Sequence, residues 1–165
     1  EDVNEMEKML NEYLQFTSSS YIEKGEMFNL SELIDQTVIK YNNKNIQKDL
    51  VPRAYINGRK NLINRCINNI IDNALKYGNK VEVKLSKENK NLLIIIDDDG
   101  SGVPKKEYEN VFKPFYKIDK GRTESKSSVG LGLSIASDIV RSHGGNIVLD
   151  KSKMNGLSVK IFLPV

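Results

Sequence analysis

The chain of 165 residues holds one cysteine, Cys66, so no disulfide can form within it. Its place in a helical apolar pattern reads as a buried, inert thiol compatible with a reducing compartment. No uninterrupted apolar run is longer than Leu92–Ile96, far short of the ~20 residues that span a bilayer, and no signal-peptide pattern is present. The 25 basic and 22 acidic residues are scattered, giving a formal charge of +3. They form no basic stripe with interleaved aromatics, which argues against a nucleic-acid binder. Internal repeats are absent and histidine occurs once, at His143. What remains, 39% hydrophobic and 28% charged, is the composition of a soluble globular chain long enough for one core. It opens on Glu1 without a methionine, so the expectation is a piece of a longer protein.

Val3, Met6, Leu10, Tyr13 and Leu14 recur at helical spacing and predict an amphipathic helix from Val3 to Phe16. The run Thr17–Ser20 breaks it, which sets a boundary between residues 1–24 and 25–165. Asn29 with Glu32 three residues on resembles a capping box, and Leu30, Leu33, Ile34, Val38 and Tyr41 give the next helix its apolar face. A short strand is expected at Ala54–Ile56. The strongest helix is Lys60–Tyr77, with Ile63, Cys66, Ile67, Ile70, Ile71, Ala74 and Leu75 on one face and Gly78 as its stop. Val81–Leu85 and Leu92–Ile96 predict an antiparallel hairpin. A short helix near Pro104–Val111, an aperiodic and mobile stretch from Lys113 to Ser128, a helix over Gly130–Ser142 and a closing hairpin, Asn146–Leu149 with Leu157–Leu163, complete the chain. The fold class is therefore α+β: a mixed, mostly antiparallel sheet with helices on one face, preceded by an N-terminal helix.

Three stretches could carry chemistry. In "IIIDDDGSGVP" an apolar strand runs into Asp97, Asp98 and Asp99. The acids could be solvated in a turn, bind calcium, or include one acceptor placed in a pocket. Asp97, Asp99, Ser101 and Gly102 match the first half of a calcium loop, but its twelfth position is Tyr108, Pro104 interrupts it and the preceding element is a strand. On the long helix, Asn69, Asn73 and Lys76 share a polar stripe with Tyr77 at its border. Amide oxygens suit Mg²⁺, an ammonium suits phosphate and a ring can cover a base; the same stripe also suits plain solvation. Gly130 and Gly132 open a helix, where free N–H groups attract phosphate. That stretch is neither a Walker loop nor a dinucleotide fingerprint, and the eukaryotic-type protein kinase signatures are missing.

Taken in order, "NNIIDNALKYG", "DDDGSGVP", "FKPFYK" and "VGLGLS" resemble the N, G1, F and G2 boxes of the sensor histidine kinases, whose catalytic domain shares an ATPase superfamily with gyrase, Hsp90 and MutL. The resemblance covers roughly Phe28 to Val165, and its ending and spacing are nearest the osmolarity-sensor subgroup typified by EnvZ. It implies a two-layer α/β sandwich, the Bergerat ATP-binding fold, with ATP between helices and sheet. Asp98 would then accept the adenine amino group, with Gly100 and Gly102 leaving room for the base beside Val103. Asn73 and Asn69 would hold Mg²⁺, Lys76 would meet phosphate and Tyr77 would pack on adenine. Phe112 and Phe115 would anchor a lid that carries Lys117 and Arg122 to the phosphates. Gly130, Leu131, Gly132 and Leu133 would close the phosphate end, and Ser158 would support the adenine site.

Among these, Asn69, Lys76 and Arg122 are the expected catalytic residues, and Asp97 and Asp99 are expected to be merely solvated. The family's pattern is departed from at Ser128, where a glycine is usual, and at Asn69, where hydrolysing relatives carry a glutamate. An amide is no general base at neutral pH, so phosphoryl transfer is favoured over hydrolysis. The acceptor histidine box is missing, and His143 in "RSHGG" suits a structural role at a helix end. The resemblance thus implies a protein-histidine kinase catalytic domain using ATP and Mg²⁺, after a remnant of the dimerisation and phosphoacceptor hairpin. Its partners would be that hairpin in a homodimer and a response regulator. No nucleic acid is expected, and any membrane attachment would run through segments not included here, leaving this domain on the cytoplasmic side of a bacterial inner membrane. A superfamily ATPase, a serine-directed anti-sigma kinase and a degenerate binding module are the rivals.

Overall fold

The computed structural model describes residues 4, 7, 8, 10, 11, 14, 23–42, 44–116 and 131–165. In chain order the elements are β1 (Glu26–Asn29), α1 (Leu30–Ile39), β2 (Ile46–Leu50), β3 (Tyr55–Gly58), α2 (Lys60–Tyr77), β4 (Val81–Glu88), β5 (Asn91–Asp98), α3 (Gly132–Ser142), β6 (Asn146–Lys151) and β7 (Leu157–Pro164). Two short 3₁₀ turns, Lys105–Glu107 and Asn110–Phe112, lie between β5 and α3. The central sheet runs β2-β4-β5-β7-β6, and β1 pairs with β3 in a separate two-stranded ribbon.

The apolar run at Leu92–Ile96 becomes the spine of this sheet because β5 has neighbours on both sides. Val83 lies opposite Ile96, Ile96 opposite Val159 and Ile94 opposite Ile161, and Ile161 opposite Ile147. All are buried, and with the apolar faces of the three helices they form one core. Burial of apolar surface at ~25 cal/mol per Å² is the main force holding the two layers together. Asn89–Lys90 closes the β4–β5 hairpin as a two-residue loop, with Glu88 paired to Asn91. Asn89 takes the positive φ of 56° that such a loop requires.

Helix ends explain how the layers are pinned. The Asn29 side chain accepts from Ser31 N–H at 3.1 Å and also from Ala54 N–H at 3.2 Å, tying α1 to the approach of β3. The α2 N-cap, Arg59, makes no side-chain cap bond. Glu23 supplies it instead, accepting from Asn61 N–H at 2.7 Å and Leu62 N–H at 3.1 Å. At the end of α3, Gly145 N–H bonds Val140 C=O and Gly144 N–H bonds Arg141 C=O, both at 2.9 Å. Gly144 adopts a φ of +76°, so a left-handed glycine closes the helix.

The α+β class with a mixed sheet is as expected, and four local readings change. β1 and β2 were not anticipated. Ile46–Leu50 is an edge strand whose middle residues Gln47, Lys48 and Asp49 are exposed, so it carries no alternating pattern, and it pairs parallel to β4. The strand expected at Ala54–Ile56 is Tyr55–Gly58. The helix expected near Pro104–Val111 is split into the two 3₁₀ turns. Of the expected N-terminal helix, Asn4, Glu7, Lys8, Leu10, Asn11 and Leu14 are helical, and its other residues lie outside the described residues.

Candidate functional site

The three aspartates at the end of β5 meet three environments. Asp98 is 4% exposed, on the helix-facing side of the sheet. Its Oδ1 accepts from Gly100 N–H at 2.8 Å and Leu157 N–H at 3.2 Å. Among the described residues no donor reaches Oδ2. Burial pushes the carboxyl above its ordinary range; the N–H groups of Gly100 and Leu157 pull it back, and the charges of Asp99 and Asp97 push it up again. Asp99 is a staple. Its Oδ1 accepts from Asn79 N–H at 2.7 Å and Lys80 N–H at 2.9 Å, which holds the turn after α2 and keeps the carboxyl below its usual range. Asp97 faces the opposite side and is 8% exposed, at the floor of a hollow of about 430 Å³ on the outer sheet face. The expectation that Asp97 and Asp99 are merely solvated is corrected: one is covered by the sheet's outer side chains and the other is engaged by backbone donors.

α2 sorts its polar residues into two stripes. Asn64 accepts from the Thr37 hydroxyl at 2.7 Å, and Asn68 and Asp72 accept from the Tyr41 hydroxyl at 3.0 and 2.8 Å, so these three join α2 to α1 and the turn that follows it. Asn69, Asn73 and Lys76 lie on the second stripe, all partly exposed, with Tyr77 at its border and 38% exposed. The Asn69 amide donates to Gly132 C=O at 3.4 Å, linking the stripe to the start of α3. Leu131 and Leu133 at that start are buried, whereas Gly132 is partly exposed. The Cys66 thiol, on the apolar face, is pushed up to about 12 by burial, the inert state expected of it.

The glycines have specific work. A Cβ on Gly100 would lie 2.4 Å from Tyr77 C=O, so the room there is filled by the end of α2 and brings Tyr77 and Asp98 together. Gly102 has a φ of +77°, a conformation L side chains avoid. Val103 is half-buried against the core and Phe112 likewise, while Phe115 is 51% exposed. Lys117, Arg122 and Gly130 lie outside the described residues. Ser158 is not brought to Asp98: it pairs with Asp97 in the register and lines the outer hollow, because strand alternation turns it away. The group from β7 that does reach Asp98 is the Leu157 N–H, which side-chain chemistry could not reveal.

His143 is engaged through both ring nitrogens. Nδ1–H donates to Ile139 C=O at 2.8 Å, and Nε2 accepts from Arg59 N–H at 3.0 Å. Burial and the Arg59 charge lower its pKa, against the Ile139 hydrogen bond and the Glu23 charge. The ring therefore stitches the end of α3 to the start of α2.

A mixed five-stranded sheet covered on one face by helices, with a buried aspartate between sheet and long helix, defines an ATPase-type α/β sandwich. The chain belongs to the histidine kinase-, DNA gyrase B-, and HSP90-like ATPase family, whose sequence profile matches residues 58–165. It is 34% identical to the sensor histidine kinase WalK of Bacillus subtilis, over 98% of this chain and 29% of that protein. It is 35% identical to the sensor histidine kinase CpxA of Escherichia coli over 66% of this chain and 24% of that protein. The chain thus spans less than a third of these relatives. Among solved structures, the mycobacterial sensor histidine kinase MprB superposes with a TM-score of 0.74 at 25% identity, covering 85% of this chain and 97% of that one. The catalytic domain of the histidine kinase ThkA, in a nucleotide-free form, does so with a TM-score of 0.75 at 21% identity, over 86% of this chain and 95% of that one, a likeness of fold.

Proposed function

We propose that this chain is the catalytic ATP-binding part of a two-component sensor histidine kinase, which transfers the γ-phosphoryl group of Mg-ATP to a histidine on a helical hairpin for relay to a response regulator. The observation that carries this reading is Asp98: a buried carboxylate with one oxygen held by two backbone N–H groups and the other without a donor among the described residues, beneath the helix that bears Asn69, Asn73, Lys76 and Tyr77. Oδ2 suits the amino group of adenine, and Tyr77 borders the same place. No cluster of acidic, histidine or cysteine ligands occurs among the described residues. That fits Mg²⁺ entering with the triphosphate, since this ion keeps several waters and needs only one or two protein oxygens. Asn73 and Asn69 would offer amide oxygens, and the Asn69 bond to Gly132 uses only its NH₂.

In this reading Lys76 neutralises phosphate charge, and Lys117 and Arg122 complete the clamp at the γ-phosphoryl, with Gly130 and Gly132 at the phosphate end. Val103, Leu131 and Leu133 line the site, and Ser158 is set aside because it faces the outer side of the sheet. Residues 1–24 are the end of the second hairpin helix, and 25–165 the catalytic domain. The full protein works as a homodimer with this domain on the cytoplasmic side of a membrane. No helix among the described residues is long and apolar enough to cross one.

His143 supports an acceptor elsewhere, since neither ring nitrogen is free for phosphorylation. Incubated with ATP labelled at the γ position, the chain should remain unlabelled and should label a separately supplied hairpin bearing the acceptor histidine. Transfer should be slow, because the tether's effective concentration is lost. Acid-labile label on His143, or steady hydrolysis with no transfer, would overturn the reading.

A further inference from the structure

The β6–β7 turn packs directly against Asp98. It is internally locked: Ser152 N–H bonds Gly156 C=O at 2.9 Å and Asn155 N–H bonds Ser152 C=O at 2.9 Å. Met154 N–H bonds the buried Ser152 hydroxyl at 3.0 Å, and Asn155 takes a φ of 76°. A Cβ placed on Gly156 would lie 2.2 Å from Asp98 Oδ1, 2.3 Å from Asp98 C=O and 2.6 Å from Gly100 N. Real Cβ atoms do not approach so closely, so only glycine lets this turn reach the carboxylate. The next residue, Leu157, then donates its N–H to Oδ1. The same turn lies against Gly102, whose Cβ position is 3.5 Å from Gly156 C=O and 3.6 Å from Asn155 C=O.

We infer that Gly156 is a specificity-determining positioning residue, which holds the Asp98 carboxylate in one orientation so that the site accepts an adenine base and rejects guanine. This rests on the nucleotide reading given above. The chemistry is a matter of donors and acceptors. A carboxylate with Oδ1 occupied by two N–H groups offers Oδ2 as an acceptor. Adenine brings an amino donor to such a point, whereas guanine brings a carbonyl oxygen at the corresponding position and is repelled. A carboxylate free to turn could instead take two N–H groups of guanine, at N1 and its 2-amino group, side by side. Bases are therefore told apart by the fixing of Asp98 as well as by its charge, because a buried polar group left unmatched is what makes discrimination large. Gly156 touches no base itself; it acts through Asp98 and the backbone of Leu157.

The test compares ADP and GDP binding by calorimetry in the parent and in Gly156→Ala, with Gly145→Ala as a packing control. A Cβ at Gly145 also meets a backbone oxygen at 2.2 Å, that of Phe162, but on the α3 side of β6 rather than against Asp98. Gly156→Ala should lose at least about tenfold in ADP affinity and narrow the ADP-to-GDP ratio, while folded Gly145→Ala keeps both. Equal affinity and an unchanged ratio in Gly156→Ala would overturn the inference and leave the nucleotide reading standing. A parent that binds neither nucleotide would end that reading first. If Gly156→Ala does not fold, the parent decides. The amide protons of Leu157 and Gly100 should titrate together with a midpoint above 3.8, the ordinary aspartate value, and ADP, not GDP, should suppress the titration. A Leu157 amide indifferent to both pH and ADP would overturn the proposal.

Discussion

A single carboxylate can be placed against the interest of stability, and Asp98 is such a residue. Its folded pKa lies above 3.8, so its contribution to stability is full below that value and is lost as pH rises through the folded pKa. Above its folded pKa the ionised group burdens the fold. Asp98→Asn keeps an oxygen for the Gly100 and Leu157 N–H groups and puts a donor in place of Oδ2. The variant should therefore melt at or above the parent temperature at pH 7 and lose about 1–3 kcal/mol of ATP binding, roughly 5- to 150-fold. Calorimetry giving parent affinity would remove Asp98 from the base site. His143 has the opposite sign of effect. Its pKa is lowered from 6.5, so the neutral ring's contribution is present above 6.5 and lost as pH falls through the folded value. Arg59 and Glu23 are the charged groups facing it. Melting curves from pH 7.5 downward should show a loss in the parent that His143→Gln lacks; parallel curves would mean the ring's protonation does not matter to the fold.

Elements with strong periodicity were legible in the chain, and those positioned by long-range pairing were not. α2 and the β4–β5 hairpin announce themselves because each buries a full face, and Asn29 predicts the start of α1 through its own side chain. β2 is hidden because its central residues are exposed and its partner, β4, lies across α2 in the sequence. The candidate site divides in the same way. The α2 stripe follows from side-chain types at helical spacing and Asp98 from the likeness of its motif to the family's, whereas Gly156 and the Leu157 N–H act through backbone, which no residue identity displays. Ser158 enters only through the family resemblance, and the pleat turns it outward. The cap of α2 was illegible too, since Glu23 is 38 positions from Asn61. A side-chain cap of this kind contributes about 1 kcal/mol. Glu23→Ala should lower stability by about that amount and speed amide exchange at Asn61 and Leu62 first. Unchanged exchange at those two amides would show that water caps the helix equally well.

On the scale of the whole molecule, ligand binding should be felt as stability because the site is assembled from both layers. Asp98 comes from the sheet, Asn69 to Tyr77 from α2, and Gly132 from α3, which Asn69 joins directly. A ligand that spans these elements binds only the assembled fold, and at a concentration one hundred times its dissociation constant it stabilises by about 2.7 kcal/mol. For a chain of this size each kcal/mol moves the melting temperature by about 2–4 °C, so saturating Mg-ATP should raise it by roughly 5–11 °C. The two ends of the nucleotide can then be separated. Asp98→Asn should lose about a third to nine-tenths of the rise whether or not Mg²⁺ is present, because the base is held at the sheet. Asn73→Ala should lose only the part that Mg²⁺ adds, because its amide oxygen would meet the ion on the triphosphate. A rise that is equal in both variants and the parent would place the nucleotide away from the β5–α2 junction. A Mg²⁺ increment that survives Asn73→Ala intact would move the metal to another oxygen, with Asn69, one helical turn earlier, as the next residue to replace.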